Sequence, residues 1–290
     1  MRSLLFIPAD SDKKLQRGLG SGADVLLLDL EDSVAAGRKA AARTMAADFI
    51  RTHRESGPAL YVRINELDGG LAEEDLAAVV PARPAGIMLP KCVGAADVEL
   101  LSAMIRVHEA GAGLEDGAIR ILPIATETAR ALLKVGTFDA PLPRLSGITW
   151  GAEDLAADLG ARENRDAAGV YTDIFRQARL MTLAAAGAAE TAPIDTVYVD
   201  FRNMDGLAQE CVDAERDGFT GKMAIHPDQV PVINAAFTPA EATVAHALEL
   251  VEAFAAAGNP GVVGIGGKMY DRPHLRRAER LLARAAAFGA

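Results

Sequence analysis

Two cysteines, Cys92 and Cys211, are too few in 290 residues to build a disulfide framework. The pair reads as buried thiols, and a reducing cytoplasm fits. Positive charge is also scarce. Thirty Lys and Arg against 40 Asp and Glu give a formal net charge of −10. That balance excludes an extended nucleic-acid-binding face, yet leaves room for a local basic pocket that takes an anionic ligand. No apolar run approaches the roughly 20 residues of a membrane span, so no membrane partner is expected. The first ten residues pass straight into a strand-like run and an acidic turn, unlike a signal peptide. No Gly-x-Gly-x-x-Gly turn follows the first strand, which argues against a dinucleotide-binding sheet. Solenoid-type repeats of 20–50 residues are missing as well. What remains is 50% hydrophobic and 24% charged, the composition of a soluble globular chain with a substantial core.

Short apolar runs, each followed by a polar cluster, predict strands at residues 4–7, 25–29, 60–63, 86–89, 121–125, 145–150, 196–200 and 222–225. Between them, Ala- and Leu-rich stretches with helical spacing predict helices near residues 13–20, 36–53, 96–110, 171–186 and 206–217. Strict alternation of strand and helix implies parallel strands with crossover helices. Eight such units over roughly 250 residues match a (β/α)₈ TIM barrel, with a doubly wound open sheet as the alternative. The expected organisation is a barrel over residues 1–257 followed by a Gly-rich and then basic extension over residues 258–290.

A barrel gathers its chemistry at the C-terminal ends of its strands. There the sequence places Pro8-Ala-Asp10, Asp29-Leu-Glu31-Asp32, Arg63-Ile-Asn65, Pro90-Lys91, Glu127, Glu153-Asp154, Asp200-Phe-Arg202 and His226-Pro227. Glu127 and Asp154 each lie just past an apolar run. Two carboxylates delivered in this way suit Mg²⁺, a hard cation that keeps several waters and needs only one or two protein carboxylates. For Asp154 the alternative is a cap on the helix beginning near Leu155. Lys13 and Arg17, spaced i,i+4, share one face of the first helix. They offer either a phosphate-binding rim or a solvated helix surface.

Nine short motifs in order carry a family resemblance. They are Arg2-Ser-Leu-Leu-Phe-Ile-Pro-Ala-Asp10, Gly22-Ala-Asp-Val-Leu-Leu-Leu-Asp-Leu-Glu-Asp32, Val62-Arg-Ile-Asn65, Leu89-Pro-Lys91, Glu127-Thr-Ala129, Gly151-Ala-Glu-Asp-Leu155, Gly218-Phe-Thr-Gly-Lys222, Ile225-His-Pro227 and Gly267-Lys-Met-Tyr-Asp271. The chain resembles the citrate lyase β-subunit-like proteins of the HpcH/HpaI aldolase superfamily, a group that includes malyl-CoA and citramalyl-CoA lyases. The resemblance implies Mg²⁺ held by Glu127 and Asp154, with Glu31 and Asp32 in the metal's surroundings. It also implies that Arg63 faces the substrate and that Phe6, Lys13, Arg17 and His226 lie beside coenzyme A.

In the same family the C-terminal segment swings over a neighbouring subunit. Asp271 would then complete that neighbour's site as acid or base, in a trimer or a dimer of trimers. The implied reaction is cleavage of a short 3-hydroxyacyl-CoA to acetyl-CoA and a 2-keto acid. A malyl-CoA-type thioesterase and a citrate lyase β chain working on an acyl-carrier partner are the alternatives. Two positions depart from the family pattern. Gly266 stands where an acidic residue is usual, which bears on the lid's local geometry. Trp150 stands where Phe is usual and is expected to narrow the pocket.

Overall fold

The computed structural model describes residues 1–55 and 57–288, so the last two residues of the 258–290 extension lie outside the described residues. Its framework is a curled, seven-stranded parallel sheet. The strands are β1 (Ser3–Pro8), β2 (Val25–Asp29), β3 (Ala59–Arg63), β4 (Gly86–Leu89), β5 (Arg120–Pro123), β6 (Ile194–Asp195) and β7 (Gly221–Ala224). In space they run β5-β4-β3-β2-β1-β7-β6. The intervening helices are α1 (Asp12–Leu19), α2 (Lys39–His53), α3 (Ala72–Val79), α4 (Ala95–Gly111), α5 (Ala129–Lys134), α6 (Ala152–Leu159), α7 (Asp173–Ala188), α8 (Met204–Asp217) and α9 (Gln229–Phe237). None of the helices among the described residues is long and apolar enough to cross a membrane.

β2 reads Val-Leu-Leu-Leu-Asp and every residue in it is buried, as expected for a parallel strand covered on both faces. The two faces do different work. Leu4, Val25, Leu27, Tyr61, Met88, Leu122, Ile124, Ile194 and Met223 form one buried cluster inside the curl. Gly86 makes space there, because a Cβ on it would come within 2.2 Å of the Tyr61 ring.

The other face carries Asp195, next to inward-facing Ile194 and directly opposite Lys222 in the β6–β7 register. Lys222 is fully buried and bonds Asp195 at 3.1 Å and Glu210 of α8 at 2.7 Å. Burial works against its charge. The two carboxylates outweigh that effect and hold its pKa above the ordinary lysine value.

Two expected strands differ from what is observed. Residues 145–149 form isolated parallel bridges rather than a regular strand, reaching β5 through Leu145 and Thr149 and the β6 side through Ile148 and Pro193. Gly147 marks the tight point, since a Cβ there would approach the Ala192 carbonyl oxygen to 2.9 Å. The strand expected at 196–200 is not formed: the strand of this stretch is Ile194–Asp195, and residues 196–200 follow it as a loop. Val197 and Val199 alternate like strand residues, yet Val199 is 47% exposed in the loop beyond β6.

The chain divides into two compact units, Met1–Asn234 and a second beginning at Ala235. The second contains α10 (Glu241–Ala256), an antiparallel hairpin of β8 (Val262–Ile265) and β9 (Lys268–Asp271), and α11 (Arg272–Phe288). Its own small core joins Ala247, Leu250 and Phe254 of α10 to Val263, Leu275 and Ala278. α10 therefore packs with the C-terminal extension. The hairpin turn is Gly266-Gly267, with φ of +56° and +77°. A two-residue turn of type I′ needs both central residues in this left-handed region, which glycine adopts without strain. The departure at Gly266 thus leaves a regular hairpin.

Candidate active site

Register places the first charged pair. Asp29 ends β2 and Arg63 ends β3, and they are direct partners across the two strands. The Arg63 guanidinium donates to both Asp29 oxygens, from Nε at 2.7 Å and from an Nη at 2.6 Å. Its other Nη lies 2.8 Å from Glu31 Oε2, and its plane sits 4.8 Å from the centre of the Phe6 ring. Fork-to-carboxylate geometry on one side and a ring on the other fix the guanidinium almost rigidly. The N–H groups not facing these carboxylates are the ones able to meet a ligand. Burial pushes the Asp29 carboxyl up, but the Arg63 hydrogen bonds outweigh it and hold the group below the ordinary Asp range. Glu31 goes the other way. Its burial dominates over Arg63 and Lys91, and its pKa is raised.

Glu127 follows β5 and is 3% exposed. Its Oε2 accepts the backbone N–H of Lys91 at 2.5 Å. Burial, then the charge of Asp154 and that of Glu31, push its carboxyl up to about 8. Asp154 sits in the first turn of α6, whose N-cap residue, Gly151, makes no side-chain cap. Gly151 is required by the carboxylate itself, because a Cβ there would lie 2.6 Å from Glu127 Cγ. Two carboxylates crowded until one resists ionisation form a donor set that a hard divalent cation relieves. The residues therefore fit Mg²⁺.

Lys91 connects the two halves of the site. Among the described residues it is one of four non-glycine residues with positive φ, at +49°, and its N–H points to Glu127. Its ammonium group pairs with Glu31 and reaches Asp32 at 3.7 Å and Asp154 at 4.0 Å. Behind this layer, Lys39 holds the Leu30 and Glu31 carbonyls at 2.7 and 2.8 Å and Asn65 Oδ1 at 2.7 Å. Asn65 in turn donates to buried Asp75. These contacts fix the backbone that carries Glu31. The sequence reading placed Asp29 and Lys91 at strand ends without a role for either, and it missed Lys39.

The remaining expected residues lie elsewhere. Lys13 and Arg17 are exposed on α1. His226 follows β7 and stacks on Phe201, with ring centres 5.1 Å apart. Among the described residues, no hydrogen bond or ion pair joins His226 to the carboxylate cluster. Asp271 ends β9 in the second unit. Trp150 is not a pocket residue. It is fully buried, and its indole N–H donates at 2.7 Å to Asp195 on the outward face of the sheet, so the expected narrowing of the pocket does not occur.

A family model described as HpcH/HpaI aldolase/citrate lyase matches residues 2–227, which takes in every strand of the sheet and the whole carboxylate cluster. The chain belongs to that family. Among HpcH/HpaI relatives, it is 32% identical over 300 residues to the mitochondrial citramalyl-CoA lyase of Rattus norvegicus, covering 98% of this chain and 86% of the other. It is 33% identical over 293 residues to a (3S)-malyl-CoA thioesterase of Cereibacter sphaeroides, covering 100% and 96%. A solved structure of protein CitE from Mycobacterium tuberculosis in complex with magnesium, acetoacetate and coenzyme A superposes with a TM-score of 0.76. That pair shares 32% identity and covers 99% of this chain and 100% of that one. This HpcH/HpaI chain is a CoA-related lyase by family.

Proposed function

We propose that the chain is a Mg²⁺-dependent carbon–carbon lyase that cleaves a short 3-hydroxyacyl-CoA of the citramalyl or malyl type to acetyl-CoA and a 2-keto acid. The observation that carries this reading is the buried Glu127 carboxylate, crowded by Asp154 and facing a site walled by the fixed Arg63 guanidinium. Glu127 and Asp154 hold the cation. When bound, it supplies a Lewis acid and a template for the carboxylate and hydroxyl oxygens of the substrate. Arg63 stabilises the negative charge that develops on the thioester oxygen as the C–C bond breaks, and its pairing with Asp29 keeps it in place beforehand. Phe6, Lys13, Arg17 and His226 contact coenzyme A, the two cations meeting its phosphates.

The sheet and residues 145–149 are read as a closed (β/α)₈ barrel, a reading supported by the parallel bridges on both sides of that segment. Residues 258–290 act as a lid, with Asp271 serving the site of a neighbouring chain as acid or base in a trimer or dimer of trimers. Chain mixing tests the shared site. Asp271→Ala and Glu127→Gln chains are each inactive alone, and co-refolded they regain activity if two chains build one site. No recovery means that each site is built within one chain.

A panel of acyl-CoA thioesters, assayed with Mg²⁺ and again with EDTA, tests the activity. Mg²⁺-dependent release of a 2-keto acid is expected, and thioester-independent aldehyde turnover would contradict it. The second reading, a malyl-CoA-type thioesterase on the same residues, is favoured by the full-length similarity to the Cereibacter sphaeroides thioesterase. A citrate lyase β chain that requires a carrier-bound acyl group is the third. Turnover of free acyl-CoA by the purified chain excludes it.

A further inference from the structure

Asp271 does not stand alone. It immediately precedes α11, and His274, three residues on, turns its imidazole back toward it. His274 Nδ1 lies 2.5 Å from Asp271 Oδ1 and 3.4 Å from the Asp271 backbone nitrogen. Both side chains are reachable by solvent, at 50% exposure for Asp271 and 39% for His274. The imidazole is held from the side by Tyr270, edge-on at 5.4 Å. Tyr270 is buttressed by His246 of α10 at 5.7 Å, and His246 pairs with Glu249. The other charged neighbour, Arg272, is turned away to the Asn259 carbonyl at 2.7 Å. The hydrogen bond from His274 holds the Asp271 carboxyl below the usual Asp range. A carboxyl so held is a poor proton store by itself, whereas a protonated imidazole bonded to it carries two exchangeable N–H protons.

We propose that His274 is a positioning residue for catalysis that reloads Asp271 with its proton. This rests on the reading of Asp271 given above. In cleavage, the enolate carbon of the acetyl-CoA product takes a proton from the Asp271 carboxyl. One C–H bond forms, one O–H bond breaks, and a carboxylate remains. The Nδ1 proton of the His274 imidazolium then moves onto that carboxylate, and the neutral imidazole regains a proton from solvent. That uptake matches the proton the substrate hydroxyl gives up to solvent as its oxygen becomes the keto oxygen, so cleavage consumes no proton overall and needs no oxidant or further reactant. A side chain that only capped α11 would need no such chemistry, since a neutral acceptor at the same position satisfies the Asp271 N–H equally well.

That difference supplies the test, made on the full-length protein with Mg²⁺ and whichever acyl-CoA thioester it turns over. His274→Gln keeps an acceptor for the Asp271 N–H and removes the exchangeable imidazolium. Its kcat is expected to fall about tenfold or more with KM unchanged. The lost rate should return as imidazole buffer is raised, while the wild type ignores the buffer. Asp271→Asn, measured alongside, should lose kcat by about 10²-fold or more and not respond to buffer. A His274→Gln enzyme with wild-type kcat, beside an inactive Asp271→Asn, overturns the relay and leaves Asp271 in its role. Full activity in Asp271→Asn overturns the reading of Asp271, and the relay with it. Thermal unfolding of both variants within a few degrees of wild type confirms that the comparison concerns proton transfer rather than folding.

Discussion

Glu127→Gln is expected to abolish Mg²⁺-dependent turnover and at the same time to make the metal-free protein more stable at alkaline pH. The two effects share one cause. The Glu127 carboxyl is buried beside Asp154, and in the folded protein its pKa is pushed up to about 8, against about 4.3 for an unperturbed Glu. A carboxyl raised on folding favours the native state below its unfolded pKa. That contribution is lost as pH rises through the folded value. Near pH 9 the wild-type chain therefore carries a buried anion with too little compensation, which glutamine does not.

The expected gain for the variant is on the order of 1–3 kcal/mol at pH 9, shrinking toward zero near pH 5. It is read as a difference in thermal midpoint across that pH range without divalent cations. Mg²⁺ should raise the wild-type midpoint and leave the variant unmoved. Loss of the metal-binding carboxylate should lower kcat/KM by about 10³-fold or more. The wild-type affinity for Mg²⁺ should strengthen with pH up to about 8 and then level off, because a proton on Glu127 competes with the cation. Equal midpoints at every pH, or retained turnover in the variant, would contradict the assignment.

Arg63→Met has the second large effect, and there stability and activity fall together. Arg63 faces two buried carboxylates, Asp29 on one edge and Glu31 on the other. Removing it strands the Asp29 charge, which is 1% exposed and loses its bidentate partner. Breaking such a pair from one side costs about 3–5 kcal/mol. Loss of a preorganised cation at the site of developing charge is expected to cost about 10²–10³-fold in kcat. The double variant Asp29→Asn/Arg63→Met separates the two losses. It should recover most of the thermal midpoint, because no uncompensated carboxylate remains at position 29 and Lys91 still pairs with Glu31. It should recover none of the kcat. If activity returned together with stability, Arg63 would be a structural residue only.

The strands that were legible from sequence are those whose side chains are apolar on both faces, such as β2 with five consecutive buried residues. Legibility failed where a tertiary partner changes the meaning of a residue. Asp195 lies outside the strand expected from sequence, yet it belongs to β6 because Lys222 and the Trp150 indole N–H donate hydrogen bonds to its carboxylate in the interior. The segment 145–149 was visible as an apolar run but not as a broken ladder, because the break depends on how closely Gly147 meets Ala192. In the site, Glu127, Asp154 and Arg63 stood out as charges just past strand-like runs. Lys91 stood at a strand end too, but its role did not show, because that lies in a left-handed backbone and in three carboxylates brought to it from the loop after β2 and from α6. Trp150 was misplaced for the simplest reason. Alternation along an irregular strand does not tell which face is inside until the neighbouring strand is known.

The identity of the products tests the central claim most directly. Purified chain, Mg²⁺ and (3S)-citramalyl-CoA or malyl-CoA, followed by NMR, should give acetyl-CoA and a 2-keto acid in equal amounts, with no signal change in EDTA. Free coenzyme A appearing with the hydroxy acid intact would contradict the lyase and make the same residues a thioesterase site.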